Sequence, residues 1–372
     1  MGGTAAGRPS PRAVAAGLAV ALLVLLVAGR LQQRVLAPQP SVPARPLAVT
    51  PTTTIPPIPV TARISIRVDD VVALATTAGE VWAPGPRELL RVDPDDNRVT
   101  ARIRIPGPAA FDGGGLAAGA GALWIRAGER TVRVDARRGR VTGSVPMPVQ
   151  AAASDGLWSC TAGHQSGPDR VVRMDPRTLT VTARIRLPRC PSVLAAERGA
   201  LWALDHSGRQ LLRVQAAGGR VTRIGLPVVT DSFLPDEAGF GGQLAIAEGA
   251  VWVVSDQIEM PTRLGARVGG GVVRVDPRTA RVTAVTPLDN LEPTLMALAV
   301  GAGGVWVVGP QAQRAGPAHG LVVDRIDPRS GRLAGTFTLA GNTRGLLTAG
   351  HGSLWLATFG GGELLRLDPS RR

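Results

Sequence analysis

The stretch VVRVDPRTARVTAV, residues 272–285, decides how this chain is read. Two runs of β-branched and apolar residues flank Asp276-Pro277-Arg278-Thr279. Aspartate bonds backbone N–H groups just ahead of it, and proline presets the first turn dihedral, so the stretch reads as strand, tight turn, strand. Its first half returns as LLRVDP at 89–94, TVRVDA at 131–136, VVRMDP at 171–176, LLRVQA at 211–216, VDRIDP at 323–328 and LLRLDP at 364–369. Ahead of each copy lies a tryptophan preceded by valine or leucine: Trp82, Trp124, Trp158, Trp202, Trp252, Trp306 and Trp355. Ahead of the tryptophan comes a run of small residues, such as GLAAGAGA at 115–122.

The spacing of the tryptophans centres on the forties, the length of one four-stranded propeller blade. Each unit supplies four short antiparallel strands: a small-residue strand, the Trp strand, the Arg-Val-Asp strand and a β-branched strand such as VTARIRI at 99–105. Alanine and glycine in the first strand suit the crowded axis of a radial array, where little room is left for side chains. The expected fold class is therefore all-β, a seven-bladed β-propeller. The seventh unit stops after its third strand, and one copy of the fourth-strand string, VTARISI at 60–66, stands unassigned ahead of the first unit. The N-terminal strand is expected to complete the last blade and close the ring, removing an open sheet edge.

The apolar-Trp strand followed by an RVDPRT-RVTA run resembles the YVTN-type and streptogramin lyase-like β-propeller repeats. The resemblance extends from about Val60 to the C-terminus. It implies the fold strongly and activity weakly, since similar members include exported ligand-binding or cell-wall-binding proteins, sensor domains and a lyase. In the lyase-like members a histidine and acidic residues serve as base and metal ligands around the axis.

Ahead of the repeats, Arg8 and Arg12 precede an apolar run from Ala13 to Gly29, closed by Arg30. Such a run fits a short membrane span or a long signal core, and without a small-x-small cleavage site it favours an uncleaved anchor. The expected organisation is a short cytoplasmic N-terminus at 1–12, a transmembrane anchor or signal segment at 13–29, a proline-rich extracytoplasmic linker at 30–59 and the propeller at 60–372. This predicts a single-pass cell-membrane protein with the propeller on the extracytoplasmic side and a monomeric head.

The formal charge is +14, and every basic residue among the 42 is arginine. The arginines are spread evenly and lack interleaved aromatics, which argues against a nucleic-acid partner and for solvated strand faces. Features present in all seven units belong to the scaffold. The third-strand arginines, Arg91 through Arg366, are expected to pair with nearby turn aspartates, and the glycines of GAGALW lie between two strands and open no helix, so they form no dinucleotide loop.

Function is expected where the repeat breaks. Insertions at 159–170, 228–242, 255–271 and 309–320 fall in the connections between second and third strands or between successive blades. In an antiparallel meander those connections share one face, so the insertions crowd one rim over blades 3 to 6. Candidate ligand-binding residues there are His164, His206, Asp231, Asp236, Glu237, Asp256, Glu259 and Glu292, with Asp289 and His319 beside them. Oxygen-rich loops suit a divalent cation, although no fixed ligand spacing is visible, and no other cofactor is indicated. His351 reads as a turn residue on the far face. Cys160 and Cys190 fall near the same rim and are expected to form a disulfide in an oxidising compartment. The chain reads as a binding or interaction module for a small ligand, an envelope polymer or a protein, with a lyase or hydrolase as the alternative.

Overall fold

A computed structural model describes residues 58–66, 71, 73–109, 115–161, 169–191, 193–205, 209–227, 244–262, 265–291, 296–312, 320–340, 345–358 and 362–370. The run 13–29 and the linker up to residue 57 lie outside the described residues. Among the described residues no helix is long and apolar enough to cross a membrane.

Among the described residues twenty-eight strands form seven four-stranded antiparallel sheets; six are meanders in chain order from the inner to the outer strand, and the seventh takes its outer strand from the start of the propeller. The chain thus folds as an all-β seven-bladed propeller. The first hairpin of most blades turns on two residues of positive φ, such as Ala78-Gly79, Ala120-Gly121, Ala302-Gly303 and His351-Gly352. Two successive left-handed residues make the primed turn whose twist matches the strands it joins, which is why glycine recurs ahead of each tryptophan. The second hairpin turns on the Asp-Pro motif. Asp276 Oδ1 accepts the N–H groups of Arg278 and Thr279 at 2.7 and 3.4 Å, and Ala280 follows at φ 54°. Asp93, Asp135, Asp175 and Asp327 cap their turns in the same way. These backbone N–H groups hold the five carboxyls below the usual aspartate range.

The seven tryptophans are fully buried, each between its own blade and the next. Seven apolar clusters fill the seven interfaces. Trp202, for example, packs with Leu244, Val251 and Val273 of blade 5, and Trp355 packs with Val81, Leu90 and Val92 of blade 1. The wedge between diverging sheets widens outward, and the indole is the side chain large enough to fill it. At the axis the reverse holds. A Cβ on Gly119 would stand 2.7 Å from the backbone carbonyl of Ala152 on the neighbouring inner strand, and one on Gly350 2.7 Å from Thr76.

The third-strand arginines are scaffold, but their partners differ from the expected turn aspartates. In every blade the guanidinium lies over the preceding tryptophan ring, 5.2 to 5.8 Å from its centroid. From there Arg213 and Arg274 donate to the carbonyls of Pro277 and Pro328, in the turns of the next blade. The turn carboxylates are already taken up by their own backbone N–H groups. Among the described residues only Arg91 and Arg173 of the seven reach an acid, Glu80 and Asp155, both at the first hairpin.

The ring closes as the isolated VTARISI string demands. Val60–Ser65 pairs antiparallel with Glu363–Leu367 and forms the outer strand of blade 7. Ile64 and Ile66 are buried against Val81, Leu90 and Trp355. Ile58, just ahead of this strand, is buried with Trp306, Leu365 and Leu367.

Candidate functional site

The connections between second and third strands, and those between blades, all emerge on one face of the meander. The described parts of that rim are knitted together across blades 4 to 6. The insertion at 255–271, expected as a loop, is a β-ribbon instead: strands Ala250–Thr262 and Gly265–Asp276 of blade 5 run on past the sheet, with Ile258 paired to Gly269 and Thr262 to Gly265. A register shift between Ser255 and Ile258 re-aims the ribbon at its base. Two contacts explain why it is ordered there. Ile258 is fully buried in the cluster between blades 4 and 5, and the Glu259 N–H donates to the Pro227 carbonyl at 2.8 Å. Gly271 is crowded at the base of the ribbon within its own blade, since a Cβ there would stand 2.8 Å from the Thr286 carbonyl oxygen of the fourth strand and 3.1 Å from Ile258 Cδ1. Glycines that read as loop punctuation mark a place where backbones touch.

Between blades 5 and 6, Leu291 bridges to Gln311 and the Ala312 N–H donates to the Asn290 carbonyl at 2.9 Å. At blade 3, Cys160 and Cys190 form a disulfide with Cα atoms 5.7 Å apart. The Cys190 N–H donates to Asp169 Oδ2, and the Cys160 N–H to Gln150 Oε1 at 2.6 Å. The bond joins the Trp strand of blade 3 to the passage leading into blade 4.

Of the sequence-predicted site residues, His164, His206, Asp231, Asp236, Glu237, Glu292 and His319 lie outside the described residues. Asp256 stands on the ribbon strand with its side chain outside the description. Glu259 is exposed on that strand, one residue past buried Ile258, and Asp289 is exposed between blades 5 and 6. Among the described residues no three His, Cys, Asp or Glu side chains gather into a group that could hold a metal ion. His351 lies exposed in a first-hairpin turn, on the opposite face.

One residue of the rim neighbourhood escaped sequence reading. Asp324, in the third strand of blade 6 (Gly320–Ile326), occupies the position that holds Leu90, Val132, Val172, Leu212, Val273 and Leu365 in the other blades. It is fully buried, paired between Val307 and Thr336 in the sheet. Thr336 Oγ1 donates to its Oδ1, whereas Oδ2 is buried with no hydrogen-bond partner. Burial pushes its carboxyl up to about 6; the Thr336 bond opposes that rise and the nearby Asp289 adds to it. The signal was an acid in a slot of aliphatic residues, VVDRID against LLRVD.

The chain matches no protein-family profile and no curated protein sequence. Solved structures match in fold. Hydrazine synthase of Kuenenia stuttgartiensis superimposes with TM-score 0.57 at 9% identity, over 82% of this chain and 97% of that one. BamB from Moraxella catarrhalis gives 0.51 at 12% identity, over 84% and 99%. The WD40 repeats of RRP9 give 0.57 at 9% identity, over 84% and 98%. At such identities the likeness is one of fold alone.

Proposed function

We propose that the chain is a binding and interaction module that works through the rim over blades 3 to 6, held at the extracytoplasmic face of a membrane by the segment 13–29. The observation that carries this reading is the inequality of the two faces. On one, every blade ends in short turns of nearly the same geometry. On the other, among the described residues, blade 5 alone raises a two-stranded ribbon, seated on Pro227 of blade 4. Sites on rigid β scaffolds are built from such unequal connections. The finer kinship is with the YVTN-type and streptogramin lyase-like repeats, whose Trp and RVDPRT signature the chain carries. The occupant is a small ligand, an envelope polymer or a protein.

The test is site-directed photocrosslinking of the full chain in its native envelope. A crosslinking residue placed at Glu259 should trap a partner, and one placed at Arg177, in a turn of the opposite face, should not. Trapping from Arg177 alone would reject the rim. Turnover of a streptogramin-type depsipeptide by the purified chain would move the reading to the lyase alternative.

A further inference from the structure

The arginines that are evenly spread in sequence are sorted in space. The seven outermost strands carry no aspartate or glutamate at all. Because each blade returns its fourth strand to the same radius, residues of equal register line up around the wall. Arg63, Arg102, Arg184 and Arg223 hold one such register position, facing Leu365, Leu90, Val172 and Leu212 of the third strands in blades 7, 1, 3 and 4. Blade 2 has Ser144 there, but Arg130 reaches across and donates to its Oγ from Nη2 at 2.7 Å, which restores a guanidinium at the gap. Blades 5 and 6 break the series with Val285 and Thr336. The result is a continuous arc of exposed guanidinium groups over blades 7, 1, 2, 3 and 4.

Arg104 and Arg186 extend the arc toward the rim. Among the described residues Arg104, Arg184, Arg186 and Arg223 are exposed and make no ion pair. Arg63 and Arg102 pair with Glu363 and Glu88 at 3.1 and 2.6 Å, but these pairs are partly solvated and exchange readily for another anion. Strand edges are often charged simply to block edge-to-edge association. That role needs a charge anywhere on each edge, and it explains neither the shared register nor the restoration of charge at blade 2.

We infer that this arc is a docking track for a flexible, linear, non-nucleic polyanion bearing phosphate or carboxylate groups. Guanidinium forks suit both groups by paired hydrogen bonds. The surface is the convex side wall of a ring, which a flat bilayer can touch over only a blade or two, whereas a flexible chain can follow five. The tryptophans and Phe337 are buried and the chain has no tyrosine, so among the described residues the arc offers none of the aromatic platforms on which nucleic-acid bases stack.

The test uses the full chain in a non-ionic detergent and fluorescently labelled linear polyphosphate. Two quadruple variants are compared: Arg104→Gln, Arg184→Gln, Arg186→Gln and Arg223→Gln on the arc, and Arg137→Gln, Arg177→Gln, Arg278→Gln and Arg329→Gln in the turns of the far face. Both remove the same charge, and unchanged melting curves verify that both fold. The arc variant should bind at least about tenfold more weakly, while the turn variant stays within about twofold of the native chain. Equal losses would mean that net charge alone attracts the polymer, and would overturn the inference, as would a native chain that fails to bind. Displacement by dispersed phosphatidylglycerol, or by an oligonucleotide, more effective than unlabelled polyphosphate at equal phosphate would also overturn it. The first outcome assigns the arc to lipid and the second to nucleic acid.

Discussion

Arg366 donates from Nη1 to Asn97 Oδ1 at 3.0 Å, joining the last blade to the first across 269 positions of sequence. The same guanidinium lies 5.2 Å from the Trp355 ring centroid and bonds the Pro94 carbonyl. Thr76 Oγ1 adds a bond to the Ala349 carbonyl at 3.0 Å nearer the axis, and Arg102 Nη2 one to the Ile66 carbonyl at 2.8 Å near the outer strand. Arg366→Met keeps the aliphatic stem but removes both the cation over the ring and the bridge. It should destabilise the head by about 1–3 kcal/mol. Arg325, which donates to Gly303 of its own blade, should cost less when changed in the same way. Equal losses in denaturant titrations would show that the bridge between blades 7 and 1 adds nothing to the stacking on tryptophan.

Closure by the first strand predicts a sharp boundary for truncation. A chain beginning at Thr52 retains Ile58 and the whole of Val60–Ser65, whereas one beginning at Asp69 loses them. Ile58, Ile64 and Ile66 are buried, and each such side chain contributes about 1.5–3 kcal/mol. Set against a typical net stability of roughly 5–15 kcal/mol, their loss together with a ladder of backbone bonds should leave the shorter chain unfolded or melting far lower. Coincident melting temperatures would disprove closure by this strand.

Asp324 makes a prediction with a definite sign in pH. Its carboxyl titrates near 3.8 when unperturbed and at about 6 in the folded chain, so folding favours the protonated form. The stability attached to that proton is fully present below about pH 4 and is lost as the pH rises through about 6. At pH 7.5 the native chain therefore buries a carboxylate with one unpartnered oxygen. Asp324→Asn should raise stability there by on the order of 2 kcal/mol, and the advantage should vanish at pH 4. Melting curves at the two pH values check this, and an equal shift at both would show that the carboxylate is not the source.

Crowding at the axis is tested at two glycines in regular strands. Gly119→Ala puts a methyl 2.7 Å from the Ala152 backbone carbonyl, which cannot swing aside, and should destabilise by about 1–3 kcal/mol. Gly143 lies on an outer strand with nothing within 4 Å of the added carbon, so Gly143→Ala should be neutral or slightly stabilising. If both substitutions proved harmless, the inner strands would be further apart than their contacts indicate.

Sequence by itself determined the blade and its number. Trp355 and VTARISI are legible because a propeller repeats one local unit, and every copy must carry the same turn chemistry and the same wedge-filling side chain. Reading the residues in order also placed the insertions on one rim, since strand alternation alone fixes the face from which each connection emerges. Three things were decided only in three dimensions. Arg213 and Arg274 bond proline carbonyls of the next blade instead of turn aspartates, because those carboxylates are already satisfied by their own backbone N–H groups. The 255–271 insertion became a ribbon because Ile258 found a buried slot and Glu259 a backbone partner on blade 4, contacts between blades that no local pattern encodes. Arg63, Arg102, Arg184 and Arg223 stand far apart in the chain, and only the return of each outer strand to one radius brings them into a single arc.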